Sequence, residues 1–141
     1  MIKRILLPTD GSTSSERAAS YAASLAMRFH SKIKVIHAYT PSPGALGKHV
    51  YSGPGVYKSL EEAQTLLNEV AAQLRSMGID DIETDAVIGP AANVIIGVAE
   101  SHSADLIVIG ARGLSTWQGI LLGSISMAVT QRAECPVLVV K

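Results

Sequence analysis

The stretch GARGLSTWQGILLGS, residues 110–124, gathers the groups of this chain best suited to hold an anion. It contains Gly110, Gly113, Gly119 and Gly123 and directly follows the apolar run LIVI. Glycine weakens regular structure, so four in fifteen residues need a local reason. Gly110 would let the backbone turn sharply at a strand tip. Gly113 has no Cβ and would let a ligand approach the main chain. Gly123 and Ser124 stand where a helix begins. A helix N-terminus presents unpaired N–H groups and a partial positive charge, which together hold phosphate. The hydroxyls of Ser124 and Ser126 could add hydrogen bonds or reach a metal, and Arg112 could pair with a phosphate or contact a sugar. Gly119 has no place in this scheme. A glycine cluster alone fits equally well with a loop that only turns the chain.

The elements around this stretch decide between those readings. RILLPT is a short apolar run ending in proline, as a buried parallel strand requires. Ala18, Ala22, Leu25, Ala26 and Phe29 then recur at helical spacing, with serines 12, 14 and 15 as N-cap candidates. KIKVIHAY reads as a second strand. SLEEAQTLLNEVAAQLRSMG is the clearest helix, with Ser59 and Glu62 spaced for a capping box and Gly78 at its C-terminal end. IETDAVI, ADLIVIG and CPVLVV read as three more strands. PAANVIIGVAESH and a short segment from Ser124 read as the helices between them.

Strands alternating with helices imply an α/β fold, a single doubly wound five-stranded parallel sheet with helices on both faces. The flavodoxin-like, Rossmann-like order 3-2-1-4-5 makes the first and fourth strands neighbours. Their C-terminal ends then flank the switch point where such sheets bind ligands, which brings Asp10 and Gly110 to one crevice. Asp10 either faces that ligand or caps the next helix, since TDGS is also good capping chemistry. Residues 40–58, TPSPGALGKHVYSGPGVYK, are long for a connection and read as a lid, a binding loop or a surface loop without a role.

Other functions lose support. Lys+Arg and Asp+Glu are both 12 and aromatics are 4%, unlike a nucleic-acid binder. Cys135 is the only cysteine, so it forms no intrachain disulfide and reads as a small hydrophobe at a strand start. No apolar run approaches the roughly 18 residues of a membrane span, and the N-terminal apolar run is too short for a signal peptide. A cytoplasmic protein of one domain, residues 1–141, is expected. His30, His37, His49 and His102 lack metal-ligand spacing and read as structural or surface residues. Trp117 reads as packing the glycine loop. The P-loop pattern is absent, with Tyr57 in place of its second glycine, and GxGxxG follows no strand.

At these residues the sequence resembles the universal stress protein family, in its ATP-binding branch. That branch carries a glycine, two residues, a glycine, nine residues, then glycine and Ser or Thr; here these are Gly110, Gly113, Gly123 and Ser124. ILLPTDGS, ADLIVIGARG and CPVLVV also look like the family. The resemblance implies ATP bound across the switch point. Pro8, Thr9 and Asp10 would approach the adenosine, Ala38 would line the adenine pocket and Gly110 would lie against the ribose. Arg112, Gly113, Gly123, Ser124, Ile125 and Ser126 would surround the phosphates, with a magnesium or manganese ion on phosphate oxygens. It further implies a homodimer, and an apolar edge at residues 136–140 invites antiparallel pairing with a second copy. The expected function is a stress-response sensor or regulator that holds ATP with little turnover and acts on a protein partner the sequence does not name. A slow ATPase or nucleotidyl transferase is one rival, although TDGS replaces the paired histidines usual in adenylyl transfer. A nucleotide-free dimeric interaction module is the other.

Overall fold

Strand and helix alternate because apolar runs alternate with amphipathic stripes. A computed structural model describes residues 1–41, 59–113 and 122–141. Its elements are β1 (Arg4–Pro8), α1 (Thr13–Phe29), β2 (Lys32–Tyr39), α2 (Leu60–Ser76), β3 (Ile82–Ile88), α3 (Ala91–Ser101), β4 (Leu106–Gly110), α4 (Ser124–Arg132) and β5 (Val137–Val140). All strand pairs are parallel, in the order β3-β2-β1-β4-β5 that the pattern predicts. Residues 42–58, most of the expected lid or loop, and Trp117 and Gly119 lie outside the described residues.

Side chains alternate across the sheet, so each central strand feeds two cores. Ile5, Leu7, Ile33, Val35 and Val108 face α1 and α2; Leu6, Ile36, Ile107 and Ile109 face α3 and α4. Burial on both faces is why RILLP and LIVIG are apolar without alternation. Helix α1 buries Ala18, Ala19, Ala22, Ala23 and Ala26, small residues that bring its axis close to the sheet. The expected capping box starts α2: Ser59 Oγ accepts from Glu62 N–H at 3.1 Å, and a Glu62 carboxylate oxygen accepts from Ser59 N–H at 2.9 Å. Such a cap is worth about 1 kcal/mol.

The two sheet edges differ. β3 and the residue before it present Asp81, Glu83 and Asp85 to Lys32 and Lys34 of β2. Partly exposed pairs of this kind stabilise little, but they make an edge unattractive to a second strand. β5 is the uncharged run VLVV. Its neighbour Cys135 is half-buried among apolar side chains, and burial raises its thiol pKa.

His102 ends α3 near those charges, with Nε2 buried and no hydrogen-bond partner for it among the described residues. Burial, and then the nearby Lys34, push its pKa below the ordinary histidine value, against a smaller opposing pull from Glu83. The unfolded chain therefore takes up a proton that the folded chain refuses. The neutral imidazole's contribution is complete above about pH 6.5 and is lost as pH falls toward the folded pKa. His102→Gln is expected to flatten this part of the acid limb in urea melts recorded against pH. An acid limb of unchanged slope would contradict it.

Candidate functional site

The chain leaves β1 into α1 on one face and leaves β4 toward α4 on the other, so the strand tips part between them. β1 ends at Pro8, opposite Ile36, while β2 runs on through His37, Ala38 and Tyr39 along β3. That overhang walls a crevice of about 280 Å³ at the C-terminal end of the sheet, where doubly wound folds take ligands. Pro8, Thr9, Asp10, Ala38, Gly110, Arg112, Gly113, Gly123, Ser124, Ile125 and Ser126 all line it. All eleven residues that the resemblance assigns to the nucleotide therefore line one cavity.

Their local jobs differ. Thr9 is buried; its N–H donates to the Ile36 carbonyl at 2.9 Å, and its hydroxyl accepts from Gly11 N–H at 3.3 Å. Asp10 Oδ1 accepts from Ser12 N–H at 2.9 Å, so its carboxylate organises the entry to α1 while lining the crevice. The ligand-facing and capping readings of Asp10 are thus compatible. The N-cap itself is Ser12, whose Oγ accepts from Ser15 N–H at 3.3 Å.

The glycines separate by environment. A Cβ on Gly110 would lie 2.6 Å from Ser14 Oγ and 2.8 Å from the backbone of Ser14 and Ser15. The first turn of α1 packs directly onto the β4 tip, a reason beyond the turn the sequence suggests. A Cβ on Gly113 would lie 2.8 Å from Asp10 Oδ2, so this glycine brings its loop against the carboxylate. Gly123 is the N-cap of α4 with φ −71° and ψ 162°, a conformation open to any residue. No described side chain caps this helix, which leaves its first N–H groups without that partner at the crevice among the described residues.

Ala111 joins the two sides of the glycine stretch. Its carbonyl accepts from Gly123 N–H at 2.6 Å and from Ser126 Oγ at 2.7 Å. The buried Ser126 hydroxyl also reaches the Gly123 carbonyl at 3.0 Å, so its proton serves the loop, leaving lone pairs for a ligand. Ser124 and Ile125 are exposed at the mouth. Arg112 is exposed and forms no ion pair with a described residue.

His37 belongs to the crevice, and the sequence reading missed it there. It is buried, and its Nδ1 donates to the Thr9 carbonyl at 2.8 Å. That acceptor fixes the hydrogen on Nδ1. The ring stacks on Tyr39 at 6.5 Å between centroids. The available signal was length: β2 outlasts β1, so its last residues flank a strand tip. Among the described residues, no group of three His, Cys, Asp or Glu side chains could hold a metal.

The universal stress protein family model matches residues 1–141. The chain is 37% identical to universal stress protein MJ0531 of Methanocaldococcus jannaschii, covering 100% of this chain and 83% of that one. The solved structure of hypothetical protein MJ0577 aligns with a TM-score of 0.82 and 26% identity, covering 100% of this chain and 96% of that one. A universal stress protein solved in complex with cAMP aligns with a TM-score of 0.75 and 31% identity, covering 99% of this chain and 97% of that one. A full-length family match, a parallel sheet in the expected order and one crevice at its switch point lead to the same conclusion: the chain belongs to the universal stress protein family.

Proposed function

We propose that this chain is a stress-response regulator that binds ATP at the switch point and holds it with little or no turnover. The observation that carries the reading is the convergence of the spaced glycine motif, the uncapped α4 N-terminus and Asp10 on one crevice. In this reading Pro8, Thr9 and Asp10 contact the adenosine, Ala38 the base and Gly110 the ribose. Arg112, Gly113 and the first turn of α4 from Gly123 to Ser126 take the phosphates. Among the described lining residues, Asp10 and Arg112 are the only Asp, Glu, Lys or Arg. A triphosphate therefore calls for a divalent cation, Mg²⁺ or Mn²⁺, on its own oxygens, with Ser124 within the chemistry such ions accept.

Slow chemistry follows from the same inventory. Phosphoryl transfer needs an oriented nucleophile as well as phosphate donors. The one carboxylate among the described lining residues, Asp10, is assigned to the adenosine end and already accepts from Ser12 N–H. Product formation under single-turnover conditions distinguishes a holder from an ATPase. A monophosphate such as AMP or cAMP is the second reading, favoured by the single lining arginine and by the relative solved with cAMP. Melting curves with ATP–Mg, AMP, cAMP and GTP test both, because a ligand stabilises the state that binds it. The largest shift with ATP–Mg supports the first reading. No shift with any of the four removes both.

The same proposal includes a homodimer in the cytoplasm, and no helix among the described residues is long and apolar enough to cross a membrane. The carbonyls of Pro136 and Val140 accept from Ile107 and Ala111 N–H groups, so Val137 and Val139 turn their backbone groups to the outer edge. That edge is uncharged, unlike the opposite one. Sedimentation at micromolar concentration is expected to give the mass of two chains. Val139→Pro, which lacks the outward N–H, is expected to sediment as one chain. A wild-type monomer would sink the proposal.

A further inference from the structure

We infer that Ser14 is a positioning residue for the phosphate end of the site, acting through Arg112. The inference rests on the nucleotide-binding reading above. Ser14 lies in the first turn of α1, 98 positions from Arg112 in the chain. Its hydroxyl donates a short hydrogen bond to the Arg112 carbonyl and accepts from the Arg112 N–H at 3.3 Å. Ser12 Oγ reaches the same carbonyl at 3.3 Å. Both polar groups of the Arg112 main chain are thus held by one buried side chain.

The surrounding residues make room for this clasp. Gly110 lacks the Cβ that would strike Ser14 Oγ at 2.6 Å. Ala111 is fixed through its N–H to the Val140 carbonyl and through its carbonyl to Gly123 and Ser126. Arg112 comes next; it lines the crevice and makes no ion pair with a described residue. Fixing its backbone sets the direction from which the guanidinium leaves. A pre-oriented guanidinium binds a phosphate with less ordering to do on association. The contact makes no claim on the base or ribose, so its effect falls on the phosphates alone.

The test is a double-mutant cycle read by calorimetry with two probes, ATP–Mg and adenosine, on wild type, Ser14→Ala, Arg112→Ala and the double variant. Ser14→Ala is expected to weaken ATP–Mg by about three- to tenfold, the range of one or two hydrogen bonds, and to leave adenosine binding unchanged. In the Arg112→Ala background it is expected to cost ATP–Mg binding almost nothing further. Ser12 Oγ still reaches the Arg112 carbonyl when the Ser14 hydroxyl is gone, so the fold is expected to survive. Should Ser14→Ala not fold, Ser14→Cys keeps the volume and weakens both bonds, and the same cycle applies. Equal losses for ATP–Mg and adenosine, or losses that add fully across the cycle, would make Ser14 a merely structural residue and overturn the inference. Wild type that binds ATP–Mg while Ser14→Ala binds it equally well would overturn the inference alone. Wild type that binds neither probe would overturn the nucleotide reading and the inference with it.

Discussion

Gly123→Val is expected to weaken ATP–Mg binding by at least about tenfold, roughly 1.4 kcal/mol, in a protein that still folds. Gly123 sits at φ −71° and ψ 162°, which valine can adopt, so no backbone strain requires glycine here. Its N–H to the Ala111 carbonyl is a main-chain bond and survives the change. Valine is a poorer N-cap than glycine, and the helix would lose no more than about 1 kcal/mol for that reason. The larger effect falls on the ligand, because Cβ and two methyls would stand before the first N–H groups of α4, where a phosphate needs direct access. Calorimetry paired with a thermal melt separates the two effects. Collapse of the fold, or ATP affinity within a factor of two of wild type, would mean that this glycine serves the loop.

Gly110→Ala is expected to do the opposite. Its Cβ would press at 2.8 Å on the backbone of Ser14 and Ser15, atoms that cannot swing away as a side-chain end can. Overpacking of this kind costs about 1–3 kcal/mol, and the melting temperature should fall by at least about 3 °C. Adding Ser14→Ala would restore only part of it, since the hydroxyl accounts for one of the three close contacts and the backbone for the others. A melting temperature unchanged by Gly110→Ala would show that α1 and β4 are not packed as tightly as described. Two glycines of one motif are thus expected to have different work: Gly110 seats a helix, and Gly123 would clear a path for phosphate.

The Gly110 half of that division was not legible in the sequence, and the reason is physical. Periodicity and punctuation are local. They locate β2 at Lys32–Tyr39 and β3 at Ile82–Ile88, and the Ser59 and Glu62 spacing locates the start of α2. Topology also follows, because alternating strands and helices have few ways to bury both faces of a sheet. The meeting of Asp10 and Gly110 at the crevice came with the topology, since the order 3-2-1-4-5 puts the ends of β1 and β4 side by side, whereas Ala38 and Ile125 came from the family resemblance alone. What a glycine faces is a long-range matter. Nothing near Gly110 in sequence announces Ser14, and nothing near Ser126 announces that its hydroxyl turns to Ala111. His37 reads in the sequence only as a structural or surface residue. Its place on the crevice wall depends on how far β2 outruns β1, a difference in length that the sequence carries and the register makes definite.

The most direct measurement is a calorimetric titration of ATP–Mg, and separately of AMP, into protein stripped of bound nucleotide. Saturable one-site binding of ATP–Mg with clearly weaker AMP binding is expected, because backbone N–H groups around Gly113 and Gly123 would hold the outer phosphates. No binding of either nucleotide would contradict it, and the glycines would then be there only to shape the loop.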